Sequence, residues 1–252
     1  MGKKGGKKHL KRKPAPKFWP IHRKNFIWTI KPSPGSHPIS SSIPLIIIAR
    51  EILGYAKTRR EAKIIISQKK IEVDGKAQSE EKFPVGLMDV VSIPEIERTY
   101  RIVPSRKGLI LHQIEEETAG FKLCRIENKT FVDGGHIQLN LHDGRNVIIQ
   151  VKNPKDSEED IYKTLDTIKL NLPSQEIAGY IKLAKGAQAI IIGGKNIGRY
   201  GKILSIEEKM GQKRRNTLVT VEDRNGEHLQ TLLDFIFVIG EDQSSISLPE
   251  VS

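Results

Sequence analysis

Apolar positions along the chain change period several times, and each change marks an element. Leu45, Ile48, Ala49, Ile52 and Leu53 recur at i, i+3, i+4, i+7 and i+8, the spacing of one helix face. Pro44 suits the first turn of that helix, and Gly54 suits a left-handed residue just past its end. Thr58-Arg59-Arg60-Glu61 has the form of a capping box and starts a second helix. At about 100° per residue, Ala62, Ile65 and Ile66 fall on one arc, with Arg59, Arg60, Lys63 and Lys70 on the neighbouring arc. One side packs and the next is cationic. Ile71-Glu72-Val73 then alternates and runs into Asp74-Gly75, which predicts a short strand and a tight hairpin turn. Val85 to Ile93 reads as a turn followed by an apolar strand.

Further on, the period stays at two. His136 to His142 alternates strictly, placing Ile137, Leu139 and Leu141 inward. Asp143-Gly144 turns the chain, and Val147 to Val151 returns as the second strand. An acidic linker, Asp156 to Asp160, precedes another alternating stretch from Tyr162 to Leu170. The last unit is centred on Lys185 to Ile203, an apolar strand, a glycine-rich basic loop and a second strand. It closes with a hairpin (Leu218–Glu222, Asn225-Gly226, His228–Leu232) and the strand Phe235 to Gly240. The expected architecture is an α+β multidomain chain. It comprises a basic arm (1–42), a helix–helix–strand unit (43–104), a central β-rich domain (105–173), a small β-barrel (174–240) and a frayed tail (241–252).

The charge is unevenly spread. The net charge is +12, and residues 1–31 hold eleven Lys or Arg and no acid; the remaining residues nearly balance, with 31 basic and 30 acidic. Such an excess suits a polyanionic partner. The 1–42 segment mixes Lys, Gly, Pro and Ser with few apolar residues, so alone it is expected to be disordered. Phe18, Trp19, Phe26 and Trp28 lie among its cations, a composition suited to stacking on bases. We therefore expect an arm that orders on its partner; the alternative is a solubilising or nuclear-targeting tail with two aromatic residues that dock on the body. Cys124 is the only cysteine, which rules out an internal disulfide and fits a reducing compartment. The apolar run Ile43 to Ala49 is far short of the roughly 20 residues of a membrane span. The basic start is followed by Pro14, Pro16 and Trp19, not by an apolar signal core. A soluble, intracellular protein is expected.

Three sharper chemistries fail on spacing. His136 and His142 share a strand face but stand roughly 20 Å apart at about 3.3 Å per residue, too far for one metal ion. Their row, with Gln138 and Asn140, is expected to face RNA or water. Gly193 to Gly198 has the opening of a P-loop, but Arg199 and Tyr200 stand where Lys and Ser/Thr are needed. Gly198-Arg199-Tyr200-Gly201 has the Gly-x-x-Gly form of a KH loop, yet it lies between strands where that loop joins helices. No catalytic residue, metal or cofactor is expected.

Thr58 to Lys63, Ile71 to Lys76 and Val85 to Val91 together resemble the α-L RNA-binding module known as the S-four domain. The glycine-rich loop around Gly198 and its flanking strands resemble the KOW motif, which sits in a small five-stranded barrel. With Gly6 to Arg12 and Ala15 to Trp19 in the arm, Gln138 to Arg145 in the middle and Phe235 to Gly240 at the end, the order of motifs from about residue 3 to 240 resembles the S-four-E family of small-subunit ribosomal proteins. The lack of an acidic extension and the short C-terminus resemble its archaeal members. The S-four resemblance implies phosphate contacts at Arg59, Arg60, Lys63, Lys69, Lys70 and Lys76. In the arm, Lys3, Lys4, Lys7, Lys8, His9, Lys11, Arg12, Lys13, Lys17, Trp19, Arg23 and Lys24 are the candidates. The last unit offers Lys185, Lys195, Arg199 and Lys202, with no acid between Lys182 and Ile206. The family implies a non-enzymatic rRNA-binding constituent of the small subunit, cytoplasmic and at the ribosome. Its partners would be small-subunit rRNA and neighbouring ribosomal proteins, with no membrane and no small-molecule substrate.

Two other classes use such modules. An RNA-modifying enzyme would need a catalytic domain, for which the central piece is too small. A translation or transcription accessory factor would be substoichiometric on purified subunits.

A protein engaging six to ten phosphates should lose roughly 10³–10⁵ in RNA affinity between 50 and 200 mM salt, through counterion release. If the arm supplies most of these contacts, deleting residues 1–31 flattens that dependence; an unchanged slope excludes the arm.

Overall fold

The structure, a computed structural model, describes residues 8–151, 161–207 and 216–249. Lys3, Lys4, Lys7 and the acidic linker lie outside the described residues. The arm carries β1 (Leu10–Lys11) and β2 (Trp28–Thr29), which pair antiparallel. The first unit follows with β3 (Ser42–Pro44), α1 (Leu45–Ile47, continued as a π-turn over Ile48–Ile52), α2 (Arg59–Ser67), β4 (Glu72–Val73), β5 (Lys76–Ala77), β6 (Pro84–Gly86) and β7 (Val90–Ile93). Next come β8 (Arg98–Ser105), β9 (Gly108–Ile114), α3 (Glu116–Ala119), β10 (Phe121–Phe131), β11 (Ile137–Leu141) and β12 (Asn146–Ile149). The chain continues through β13 (Thr167–Asn171), β14 (Ile177–Ile181), β15 (Gln188–Ile191), β16 (Tyr200–Glu207), β17 (Leu218–Asp223), β18 (His228–Leu232) and β19 (Ile236–Gly240). The described chain is mostly β with few helices, less helical than an α+β reading implies.

Three five-stranded sheets dominate, ordered β5-β4-β7-β8-β9, β12-β11-β10-β13-β14 and β18-β17-β16-β15-β19. They move two expected boundaries. The β8–β9 hairpin belongs to the first sheet, so the first unit runs past 104 to Ile114. β14 is an edge of the central sheet, so the central unit runs past 173 to Ile181. The reason in both cases is an antiparallel hairpin, which continues a sheet across a turn that sequence alone presents as a break.

Local expectations about the first unit fare well. Gly54 adopts φ 70° after the first helix, and Asp74 and Gly75 adopt φ 53° and 70° in the hairpin turn. The Thr58 hydroxyl accepts from the Glu61 amide at 3.3 Å, while the Glu61 carboxylate accepts from the Lys57 and Thr58 amides at 2.9 and 3.4 Å. Ala62 and Ile66 are buried against the first helix. That helix widens to i+5 hydrogen bonding, with the Leu53 amide donating to the Ile48 carbonyl at 2.9 Å; its first five residues, Leu45 to Ala49, are all buried, while Glu51 further on is exposed.

The arm is folded from residue 8 onward, contrary to the disordered segment expected. Ala15, Trp19 and Ile21 are buried in the first unit's core. The Trp19 indole is 2 % exposed and donates to the Ser42 carbonyl at 2.7 Å. The docked Trp19 matches the alternative of aromatic residues docking on the body, but composition could not say which residue docks, because the core that receives it lies in the next unit. The tail is also ordered where it is described: Ile246 joins the last unit's core, and the Ser245 amide donates to the Ile239 carbonyl at 2.9 Å. Removing residues 1–31 would therefore strip a core residue along with the charge.

The units meet around one buried ammonium. Lys122, fully buried on β10, donates to Asp74 and Asp143 at 2.9 Å each and to Asp89. Asp74 and Asp89 come from turns of the first unit, and Asp143 from the β11–β12 turn of the central unit. His37 of the arm contacts Asp89 at 3.1 Å, and Arg145 contacts Asp74 at 2.5 Å and Asp143 at 3.3 Å. The last unit is tied in by Arg125, which donates to the Asp234 and Ile236 carbonyls at 2.7 and 2.9 Å. Burial alone would raise the Asp89 and Asp143 carboxyls, but Lys122 holds both low, Asp143 at about 2. Asp74 goes the other way, pushed up by burial and by Asp89. One ammonium and one guanidinium do not neutralise three carboxylates, and Asp74 bears the excess.

His142 is not in the outward row expected of it. Its Nδ1 accepts from the Arg125 amide at 3.2 Å, and Nε2 faces the Leu87 carbonyl at 3.1 Å. The ring stands edge-on to Phe237, with centroids 5.4 Å apart. This arrangement fits a neutral imidazole protonated on Nε2; a second proton on Nδ1 would point at an N–H. Burial, with Lys122 and His37 nearby, lowers its pKa to about 4 despite Asp143. Between about pH 6.5 and 4 the unfolded ring takes a proton that the folded ring refuses, so folding stability falls as pH falls through that window. The shift corresponds to about 3 kcal/mol. Chemical denaturation at pH 7 and pH 4 should show that loss in the native chain relative to His142→Gln; an equal pH dependence in the two proteins would contradict it.

Candidate nucleic-acid interface

The capped helix presents its charged side outward. Arg60, Lys63, Lys69 and Lys76 are exposed, and Lys69 sits at φ 59° just beyond the helix end. Arg59 is paired with Glu81 at 2.5 Å, and Lys70 with Glu95 at 3.0 Å. The Lys70–Glu95 pair is exposed and weak, whereas Glu81 is buried, so Arg59 is held by a carboxylate that would be left uncompensated without it.

In the arm, Lys8, His9, Lys11, Lys13, Lys17 and Lys24 are exposed. Arg12 and Arg23 instead hold the arm's own backbone. Arg12 donates to the His22 and Trp28 carbonyls at 2.6 and 3.1 Å. Arg23 donates to the carbonyls of Arg12, Ala15 and Pro16 at 2.7, 2.9 and 2.6 Å. Trp19 is a core residue and offers no face to a base. The exposed aromatic side chains are Phe26 and Trp28, at 69 % and 55 %.

In the last unit Lys185, Lys195 and Lys202 are exposed, but Arg199 is not the unopposed cation expected. It contacts Asp223 at 2.7 Å and also Glu227, both brought across by the β17–β18 hairpin. Sequence distance hid those acids. The glycine-rich loop lies against the β8–β9 turn. A Cβ on Gly198, which has φ 84°, would come within 2.6 Å of Ser105 Cα. On the other side of the same turn, a Cβ on Gly108 would overlap the Phe18 side chain of the arm. Only glycine allows both approaches. The turn's exposed Arg106 and Lys107 thus stand between the arm and the last unit, and no motif marked them.

Arm and first unit together form a cationic cleft of about 520 Å³. Lys8, His9, Arg12, Trp28 and Lys31 of the arm face Arg50, Arg59 and Lys82 of the first unit across it. Arg50 and Arg59 carry carboxylate partners in Glu51 and Glu81, which leaves positive charge in excess. Sequence reasoning missed Arg50 and Lys82. Arg50 lies on a helix read only for its apolar face, and Lys82 lies in a loop without a pattern.

Cys124, His142 and Asp143 place potential ligand atoms within 4.8 Å of one another. They do not suit a metal ion: both His142 nitrogens are engaged, and the Lys122 ammonium already neutralises Asp143. Burial and Asp143 raise the Cys124 thiol well above its usual range, so it is not a thiolate ligand.

A capped basic helix leading into a hairpin, a folded basic arm and β-sheet units with lysine-bearing loops define a modular RNA-binding protein of the S4 class. Family descriptions match along the chain: RS4NT (NUC023) domain at residues 4–40, S4 domain at 51–91 and Ribosomal family S4e at 96–177. The small ribosomal subunit protein eS4 of Staphylothermus marinus is 54 % identical over 251 residues, covering 99 % of each chain. That of Desulfurococcus amylolyticus is 51 % identical over the same span, again covering 99 % of each. A crystal structure of the 30S ribosomal protein S4e from Thermoplasma acidophilum is 33 % identical with a TM-score of 0.65, covering 80 % of this chain and 96 % of that one. The chain belongs to the eS4 (S4e) family of small ribosomal subunit proteins.

Proposed function

We propose that the chain is a structural constituent of the small ribosomal subunit that holds rRNA electrostatically through its arm, its S4 module and the loops of its last unit. The observation that carries this reading is the exposure, on a folded body, of Lys8, Lys11, Lys13, Lys17, Lys24, Arg60, Lys63, Lys69, Lys76, Lys185, Lys195 and Lys202. Membership of the eS4 family, at 54 % identity over 99 % of the chain, supports the same partner. The β15–β19 sheet and its glycine-rich loop take the part of a KOW unit in this reading. Neighbouring small-subunit proteins complete the partners, and the ribosome in the cytoplasm is the place of action. Among the described residues no helix is long and apolar enough to cross a membrane.

The protein acts without catalysis in this account. Strongly displaced ionisable groups, among them Lys122, Asp89 and His142, are locked in the buried junction. Perturbed groups of that kind serve packing as often as chemistry.

Because Trp19 plugs the core, the arm is better tested by charge removal than by deletion. Replacing Lys11, Lys13, Lys17 and Lys24 by Gln, and separately Lys63, Lys69 and Lys76 by Gln, should each lower the slope of log affinity against log salt for small-subunit rRNA. The expected fall is roughly 0.7–0.9 for every phosphate that is no longer neutralised. A set that leaves the slope unchanged lies off the RNA.

A further inference from the structure

The arm's two tryptophans have opposite fates. Trp19 is sealed in the core, whereas the Trp28 indole stands 55 % exposed on the wall of the cationic cleft. Its position is built. Trp28 pairs with Lys11 across the β1–β2 ladder, its carbonyl accepts from Arg12 Nε at 3.1 Å, and the Arg12 amide donates to the neighbouring Ile27 carbonyl at 2.9 Å. Lys11 Nζ lies 5.8 Å from the ring centroid and the His9 ring 5.6 Å away. Anchoring of the same arm by Trp19 keeps this platform facing Arg50, Arg59 and Lys82.

A large apolar ring left in water beside so much positive charge is poorly used by packing alone. A duplex cannot exploit it, because A-form RNA keeps its bases stacked inside and offers mainly phosphates and 2′-hydroxyls. An unpaired nucleotide can, since aromatic side chains stack on the face of any base while cations hold the flanking phosphates. The cleft's volume falls within the ~300–1,000 Å³ typical of sites for small molecules, enough for one nucleotide.

We propose that this cleft holds an unpaired RNA nucleotide, its base stacked on Trp28 and its phosphates among Lys8, Arg50 and Lys82. The inference rests on the RNA-binding reading above and adds a preference for single-stranded over duplex RNA at this place. Trp28 also makes the site observable, because the other tryptophan is buried and serves as an internal reference.

The test titrates the full-length chain at 50 mM salt, following tryptophan emission and affinity, with a 12-nucleotide single strand, the same strand in a duplex, and a free mononucleotide. The single strand should quench the exposed-tryptophan emission and the duplex should not. Trp28→Phe should bind the single strand without that quench, and Trp28→Ala should weaken it by about 5- to 150-fold while duplex affinity holds. The idea is overturned if Trp28→Ala binds the single strand as tightly as the native chain, if duplex and single strand quench alike, or if the mononucleotide binds as tightly as the strand. Failure of the native chain to bind either RNA would instead remove the RNA-binding reading itself.

Discussion

The body of this protein depends on the placement of one buried ammonium. Lys122 has no access to solvent, and its partners arrive from three turns in two different units. An unpaired charge in such a place is prohibitive, so the central unit can seat Lys122 only where the first unit's Asp74 and Asp89 meet it. Buried ion pairs contribute little net stability compared with apolar packing. Their geometric demand is strict, however, and here it fixes how the first and central units sit on each other. Asp89 extends the constraint to the arm through His37, and Arg125 carries it on to the last unit.

For the proposed rRNA-binding role, that constraint has a consequence. RNA-binding surfaces on separately mobile units would each have to be ordered on binding, at a cost in conformational entropy. With the units joined, the cations of the arm, the capped helix and the last unit's loops keep fixed spacings before any RNA is present. The Gly198–Ser105 and Gly108–Phe18 contacts act in the same direction at the surface, aligning Arg106 and Lys107 with their neighbours. Apolar packing supports the junction: Leu87 and Met88 of the first unit share one core with Phe237 and Ile239 of the last.

Much of the local structure was legible in the sequence. The Thr58–Glu61 capping box, the Asp74-Gly75 turn and the inward row of Ile137, Leu139 and Leu141 are short-range patterns, and short-range physics decides them. The family was legible as well, since its motifs follow one another in order. What could not be read were facts that arise between distant segments. Asp74, Asp89 and Asp143 look like ordinary turn residues until Lys122 is placed among them. Nothing local distinguishes Trp19 from Trp28, although one plugs a core and the other faces solvent. The acids that pair with Arg199 lie more than twenty residues away along the chain. The cationic cleft, likewise, exists only because the arm folds back on the first unit.

Calorimetric unfolding of the full chain, native against Lys122→Ala, tests the central claim most directly. Removing the ammonium leaves three buried carboxylates without their common partner, a change that costs about 3–5 kcal/mol when a buried pair is broken. The account predicts one cooperative transition for the native protein at pH 7, and for the variant a lowered profile that separates into more than one transition as the units uncouple. A variant that melts in a single transition at nearly the native temperature would contradict it.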